Sequence, residues 1–346
     1  MSDFLPSVPQ ITLKYFQEEY FTVLTVLSYA WPAIILFGFV ANVTNIVVFL
    51  KTGARDNVTI LLIALAVSDL VFLVLISPTM CGFVIEALVR PNPWPFDKKL
   101  LFFLLYWPAF TIYDLSTYIS VSLGVMRCAC VAMPLKFKLV FTKSRTIKWL
   151  MILVVLAISI RLPVLTVHRI AWRKDPKTNL STPFLAAVNK KSMSKVLDIL
   201  NRGIVVNLAY VTMVTCVLLL SFKLYQASRI RQKCTVKGAQ KDDDTSDKPV
   251  AQGLSSRDLQ VVKSVVLVCT IFVLAQMPQV IASASRRINP QITEGGNLYF
   301  VFASISQINT TCCYLNASVN IFVYYNYNSK YRAVFQSMLL VIYKKK

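Results

Sequence analysis

Five polar residues fall inside otherwise apolar stretches of this 346-residue chain: Asn42, Asp69, Ser116, Asn316 and Asn320. Ionisable groups at such positions are costly to bury and mark functional sites by default. A carboxylate with amide and hydroxyl neighbours offers hard oxygen ligands, the set that suits a sodium ion held together with water. The same residues would equally form a hydrogen-bonded packing cluster without an ion, and residue types alone leave both readings open. Asn316 and Asn320 are four apart, which places them on one face of a helix. Asp114 is a second carboxylate in an apolar stretch. A buried hydrogen bond to the fourth or fifth stretch is the favoured reading there, over contact with a cation. Nothing points to an enzyme: no nucleophile–base pair, phosphate loop or metal cluster stands out, and His168 is the only histidine. Most of the eight cysteines lie within apolar stretches and none lies in the long segment after His168, so no disulfide framework is expected.

The elements that must position these residues are membrane spans. Hydrophobic residues make up 56% of the chain and charged residues 15%, against roughly 25% charged in a soluble domain. Together with a mean hydropathy of +0.58, this excludes a soluble enzyme, a disordered chain and a fibrous repeat. Seven stretches are long and apolar enough to cross a bilayer: 21–50, 58–85, 100–126, 149–167, 203–222, 264–285 and 295–329. The fourth carries Arg161 close enough to one end to snorkel. An odd number of spans puts the termini on opposite sides. With the N-terminus outside, 22 of the 37 Lys and Arg fall on inner segments, which favours that orientation. The net charge of +21 is thereby explained by membrane topology, and nucleic acid is not an expected partner.

Residues 1–25 read as an extracellular tail, 26–325 as the seven-span bundle and 326–346 as a surface helix with a short cytoplasmic tail. In the last segment Tyr331, Val334, Phe335, Met338, Leu339 and Ile342 recur at helical spacing, so the helix lies on the inner membrane face. Residues 226–258 read as a largely disordered inner loop, polar and carrying an acidic run at Asp242. The fold class is an all-α membrane protein, a seven-transmembrane helix bundle plus a short C-terminal amphipathic surface helix.

The chain resembles the rhodopsin-like (class A) family of G-protein-coupled receptors over roughly residues 25–340. The carriers are Asn42; Leu65-Ala-Val-Ser-Asp69, with Pro78 nine residues on; Arg127, with Pro134 seven residues later; Phe272 and Pro278; and Asn316-Ala-Ser-Val-Asn320-Ile-Phe-Val-Tyr324 before the surface helix. Each is on the span the family would require, in the family's order. The wording of Met126-Arg-Cys-Ala-Cys-Val-Ala-Met-Pro-Leu-Lys, Phe141-Thr, Trp172-Arg-Lys-Asp-Pro and Asn179-Leu-Ser181 is most similar to invertebrate, especially molluscan, chemosensory and peptide-type receptors.

The resemblance implies a plasma-membrane receptor that binds an extracellular ligand and activates a heterotrimeric G protein. It implies a ligand pocket near Ala109, Phe110, Tyr113, Gln276, Gln279, Ser283, Thr310 and Tyr314, and coupling or switch roles for Arg127, Pro134, Asp258, Phe272, Pro278 and Tyr324. Ala109 stands where amine receptors carry an aspartate, so a peptide or small chemosensory ligand is expected rather than a monoamine. Asn179-Leu-Ser181 is an external glycosylation site. The chain also departs from the family's pattern. The acid before Arg127 is replaced by Met126, leaving Asp258 as the expected restraint on the arginine. Ala275-Gln276-Met277-Pro278 lacks the aromatic toggle, and Asn320-Ile321 replaces Asn-Pro, so a milder bend is expected in the seventh span. No cysteine is placed to tie the third span to the second outer loop. A seven-span channel or transporter, or a non-signalling receptor relic, are the alternatives.

Overall fold

A computed structural model describes residues 10–53, 56–88, 100, 102–133, 137, 139–163, 168–174, 181–187, 203–238, 256–293 and 296–344. Helix dominates, because in hydrocarbon a chain can satisfy its backbone N–H and C=O groups only within itself. Helices α1 (Gln10–Thr52) and α2 (Asn57–Leu88) are followed by a π turn, Phe102–Tyr106, that leads into α3 (Trp107–Ala132). Next come α4 (Lys143–Arg161), the strands β1 (His168–Lys174) and β2 (Ser181–Ala187), then α5 (Val206–Gly238) and α6 (Ser256–Ile288). The seventh crossing is made in two pieces, α7 (Tyr299–Ser318) and α8 (Asn320–Tyr327), and α9 (Ser329–Lys344) ends the fold.

The helices close into a ring. α1 packs on α2 and α7, α2 on α3, α5 on α6, and α6 on α7, while α3 also reaches α4, α5 and α6. Among the described residues five helices are long and apolar enough to cross a membrane on length and composition alone. The other two crossings fall short for visible reasons. α4 carries Lys143, Arg145, Lys148 and Arg161, and α7 carries a polar run at Asn309-Thr310-Thr311. Outward-facing Leu36, Val155, Leu208 and Leu218 are all more than half exposed, as lipid-facing residues should be. The inward residues form an aromatic cluster of Trp31, Phe72, Tyr113 and Tyr314 in one half of the bundle, and an aliphatic cluster of Leu61, Leu65, Ile119, Leu123 and Leu153 between α2, α3 and α4.

Two features differ from the sequence expectation. α1 starts at Gln10, inside the segment read as a tail, because Leu24 is buried and Tyr20 stacks on Phe300 of α7 at 5.8 Å. α5 runs to Gly238 and α6 begins at Ser256, so helix enters the inner loop from both sides. Gln226, Ala227 and the Arg and Lys residues that follow are good helix formers and carry the helix on. The seventh crossing is interrupted at one residue, whose N–H still bonds to the Leu315 carbonyl at 3.0 Å. Val319 has ψ −7° and lies between the two pieces, and the Phe322 N–H bonds to the Val319 carbonyl three residues back. No proline is involved; the adjacent Asn320 is held instead by a side-chain bond to α2.

The β1–β2 hairpin, antiparallel in register from His168↔Ala187 to Lys174↔Ser181, follows α4 at one end of the bundle. Pro183 is tolerated within it because a two-stranded ribbon has only edge strands. At the other end α9 is capped by Asn328, whose Oδ1 accepts from the Tyr331 N–H at 3.1 Å. The buried Tyr331 hydroxyl donates to Asn45 Oδ1 at 2.7 Å, and Phe49 packs on its ring at 5.2 Å. Val334, Phe335 and Met338 complete this contact, so the surface helix is fastened to α1 and α8.

The closest approach of α1 to α7 depends on Gly38. A Cβ at that position would lie 2.1 Å from Ser318 Oγ and 2.7 Å from Leu73 Cδ1. Gly38→Val is expected to lower the melting temperature of the detergent-solubilised protein by several degrees, or to abolish folding. An unchanged melting curve would show that the two helices can separate at no cost.

Candidate functional site

Asp69 is the centre of the polar cluster. Ser116 Oγ on α3 donates to its Oδ1 at 2.5 Å, and Asn320 Nδ2 on α8 donates to its Oδ2 at 3.1 Å. The carboxylate is 1% exposed. Two of its roughly four lone-pair sites are thus filled by protein, and the others remain open to water or a cation. Asn316 belongs to an adjoining group. Its Nδ2 lies 3.5 Å from the Tyr113 hydroxyl, which also accepts from Gln276 Nε2 at 3.0 Å. One phenol oxygen therefore joins α3 to both α6 and α7. Asn42 bonds to backbone rather than to Asp69 among the described residues. Its amide donates to the Gly38 carbonyl at 2.9 Å and the Ala317 carbonyl at 2.7 Å, so it joins α1 to the backbone of α7.

Above this cluster, toward the end that carries the hairpin, α3, α5, α6 and α7 part around a partly open cleft. Phe110, Tyr113, Gln276, Gln279 and Thr310 line it, and Phe272 lies at its base. Ala109, Ser283 and Tyr314, expected in the pocket, are not on its wall. Ala109 and Tyr314 are fully buried in the aromatic cluster with Trp31 and Phe72, and Ser283 is 7% exposed. Tyr314 is held there by the edge of Trp31, whose indole N–H donates to Thr311 Oγ1 at 2.8 Å.

The wall also carries residues that sequence reasoning passed over. Arg161 of α4 does not snorkel. It turns inward, and its Nε meets Asp114 Oδ2 of α3 at 2.6 Å, with both side chains 17% exposed. Its guanidinium also sits 5.8 Å from the centre of the Trp107 ring. Two polar atoms on the wall, Tyr118 Oη and Asn309 Oδ1, have no hydrogen-bond partner among the described residues. The signal for the ion pair was present in the chain: one arginine and one aspartate, each alone in an apolar span.

At the opposite end Arg127 is half-buried after the buried Met126. Tyr324 is 2% exposed and packs edge-on against Phe49 at 5.0 Å. Phe272 packs with Met213 and Cys269, and Pro278 lies within the continuous α6, six residues beyond it. Pro134, Asn179 and the Asp258 side chain lie outside the described residues.

A seven-crossing ring with a cleft at one end and a set of bonded polar residues beneath it suggests a receptor, and the comparison with protein families decides it. The model described as "7 transmembrane receptor (rhodopsin family)" matches residues 41–324. The chain belongs to that family. No curated protein matches it. The receptor's family membership makes it a multi-pass membrane protein of the G-protein-coupled class, a family that is generally non-enzymatic. Its match runs from Ala41, beside Asn42, to Tyr324, so the Asp69 cluster, the cleft and Arg127 all lie inside it.

The Asp114–Arg161 pair is a structural interaction that a single substitution would leave half-made. Asp114→Ala or Arg161→Met alone should each destabilise the solubilised receptor by up to about 3–5 kcal/mol, because one buried charge is left behind. The double variant Asp114→Leu with Arg161→Met should recover most of the loss. Melting temperatures of the three variants check this, and additive losses in the double variant would refute it.

Proposed function

We propose that this receptor takes an extracellular ligand in the cleft between α3, α5, α6 and α7 and relays its presence to a heterotrimeric G protein at the opposite end. In this reading the N-terminus lies outside the plasma membrane. The observation that carries it is the bond from Gln276 to Tyr113 at the cleft base. It places the cleft directly over a contact between α3 and the proline-containing α6. A ligand that separates Gln276 from Tyr113 favours an outward position of α6, which is a shift between pre-existing states rather than a new one. The G protein would then meet Arg127, Pro134 and Tyr324.

The ligand is a peptide or small chemosensory molecule rather than a monoamine. The carboxylate on the described wall, Asp114, is already bonded to Arg161, and Ala109 offers a cation nothing.

Sodium fits the residues around Asp69. Asp69 and Ser116 supply hard oxygens on neighbouring helices, and Asn316 and Asn320 lie on the adjoining face. A bound sodium ion would supply positive charge there. Sodium chloride, against choline chloride at equal ionic strength, is expected to raise the melting temperature of the receptor through binding to the folded state. Asp69→Asn should abolish the difference, and a sodium effect retained in that variant would rule the site out.

The coupling test needs no ligand. Guanine-nucleotide exchange on a panel of G proteins should exceed background with the receptor in membranes, because Met126 leaves Arg127 without its usual acidic neighbour. Arg127→Ala should return exchange to background. Gln276→Leu should raise it about two- to tenfold, the equivalent of one net hydrogen bond of about 0.5–1.5 kcal/mol. No exchange from a receptor confirmed at the cell surface would defeat the ligand-free activity and leave a silent receptor, a channel or a relic.

A further inference from the structure

Three cysteines with no part in the cleft or the polar cluster meet where α3, α5 and α6 converge, in the half of the bundle that holds Arg127. Gly124 permits the meeting. A Cβ on Gly124 would lie 3.3 Å from Cys269 Sγ, 3.3 Å from Met213 Sδ and 3.6 Å from Cys216 Cβ. One turn further along α3, the Cys128 thiol donates to the Cys216 carbonyl at 3.7 Å. It is also within hydrogen-bonding reach of the Cys216 sulfur. Cys128 is half-buried, whereas Cys216 is 5% and Cys269 1% exposed. All three are free thiols.

We propose that Cys128 and Cys216 form a redox modification site at which a peroxide closes a disulfide between α3 and α5. A disulfide needs two sulfurs on backbones that already approach closely, and the glycine one turn away brings α3 and α5 together. Cys128, the more accessible sulfur, reacts first. Its sulfur attacks one oxygen of hydrogen peroxide, the O–O bond breaks, the thiol proton passes to the leaving oxygen, and a sulfenic acid and one water result. The Cys216 sulfur then displaces the hydroxyl of that sulfenic acid as a second water, and the Sγ–Sγ bond forms. Two thiols are oxidised by two electrons in total, and one peroxide is reduced to two waters. Cys269 lies deeper and stays a thiol. The consequence for signalling rests on the coupling reading above: a covalent tie between α3 and α5 in the half that holds Arg127 restricts how that end of the bundle rearranges to receive the G protein.

The full-length receptor in membranes is treated with hydrogen peroxide, its remaining thiols are alkylated, and its peptides are mapped by mass spectrometry without reduction. The expected result is a Cys128–Cys216 linked peptide that dithiothreitol removes, that is lost in Cys216→Ser, and that persists in Cys269→Ser. No linked peptide, or a Cys216–Cys269 link in its place, would overturn the site. In parallel, nucleotide exchange should be lost on peroxide treatment, return with dithiothreitol, and become insensitive to peroxide in Cys216→Ser. A link that forms without changing exchange would uphold the site and refute only its effect on coupling, so the two readings fail separately.

Discussion

A polar group inside a bilayer has no water to turn to, and most of this structure follows from that constraint. The backbone meets it by forming helices. The side chains meet it by reaching across to other helices, and those crossings set the arrangement of the bundle. Ser116 and Asn320 converge on Asp69 from α3 and α8. Gln276 and Asn316 converge on Tyr113 from α6 and α7. Arg161 reaches Asp114 from α4, and Asn42 reaches the α7 backbone from α1. Apolar packing against lipid-like surroundings has little directional preference, whereas these bonds are specific and expensive to leave unmade.

α3 gains its central position from the same logic. It carries Tyr113, Asp114 and Ser116 within one turn, and these three face different neighbours: α6 with α7, α4, and α2. The cleft opens on this helix at the level of Tyr113 and Asp114, so an occupant there lies beside bonds that hold four helices together. That arrangement is what allows a local contact to alter a global one. The interruption at Val319 has the same origin: Asn320 is drawn to Asp69, and the helix yields at the preceding residue without a proline to force it.

The places where this receptor departs from its family's usual pattern are also places where another interaction stands in. Gln276 occupies the position of an aromatic switch, and it bonds to Tyr113 where a ring would have packed. The segment after α4 has no cysteine to fasten it, and the described part of it forms an antiparallel hairpin instead. Trp149, too near the end of α4 to sit in mid-span, still donates to Ser122 Oγ of α3 at 3.0 Å.

The chain by itself determined the class of the molecule. Hydropathy counts apolar residues in a row, and a row of about twenty crosses a bilayer whatever its neighbours are; the order of Asn42, Asp69, Arg127, Pro278 and Asn320 along those rows then marked the family. It also marked which residues were polar at depth. It could not say who their partners were, because a partner lies on another helix, from 47 to 251 residues away, and is chosen by how the helices rotate about their axes. Asp69 and Asn320 are joined across 251 positions. Arg161 read as a snorkelling cation until α4 was seen to turn it toward Asp114. Tyr314 and Ala109 read as pocket residues until the rotation of α3 and α7 put them in the aromatic core. Asn42 read as a member of the Asp69 cluster until the close approach at Gly38 gave it the α7 backbone instead. Composition and spacing fix what must be buried; only the packing of seven helices decides against what.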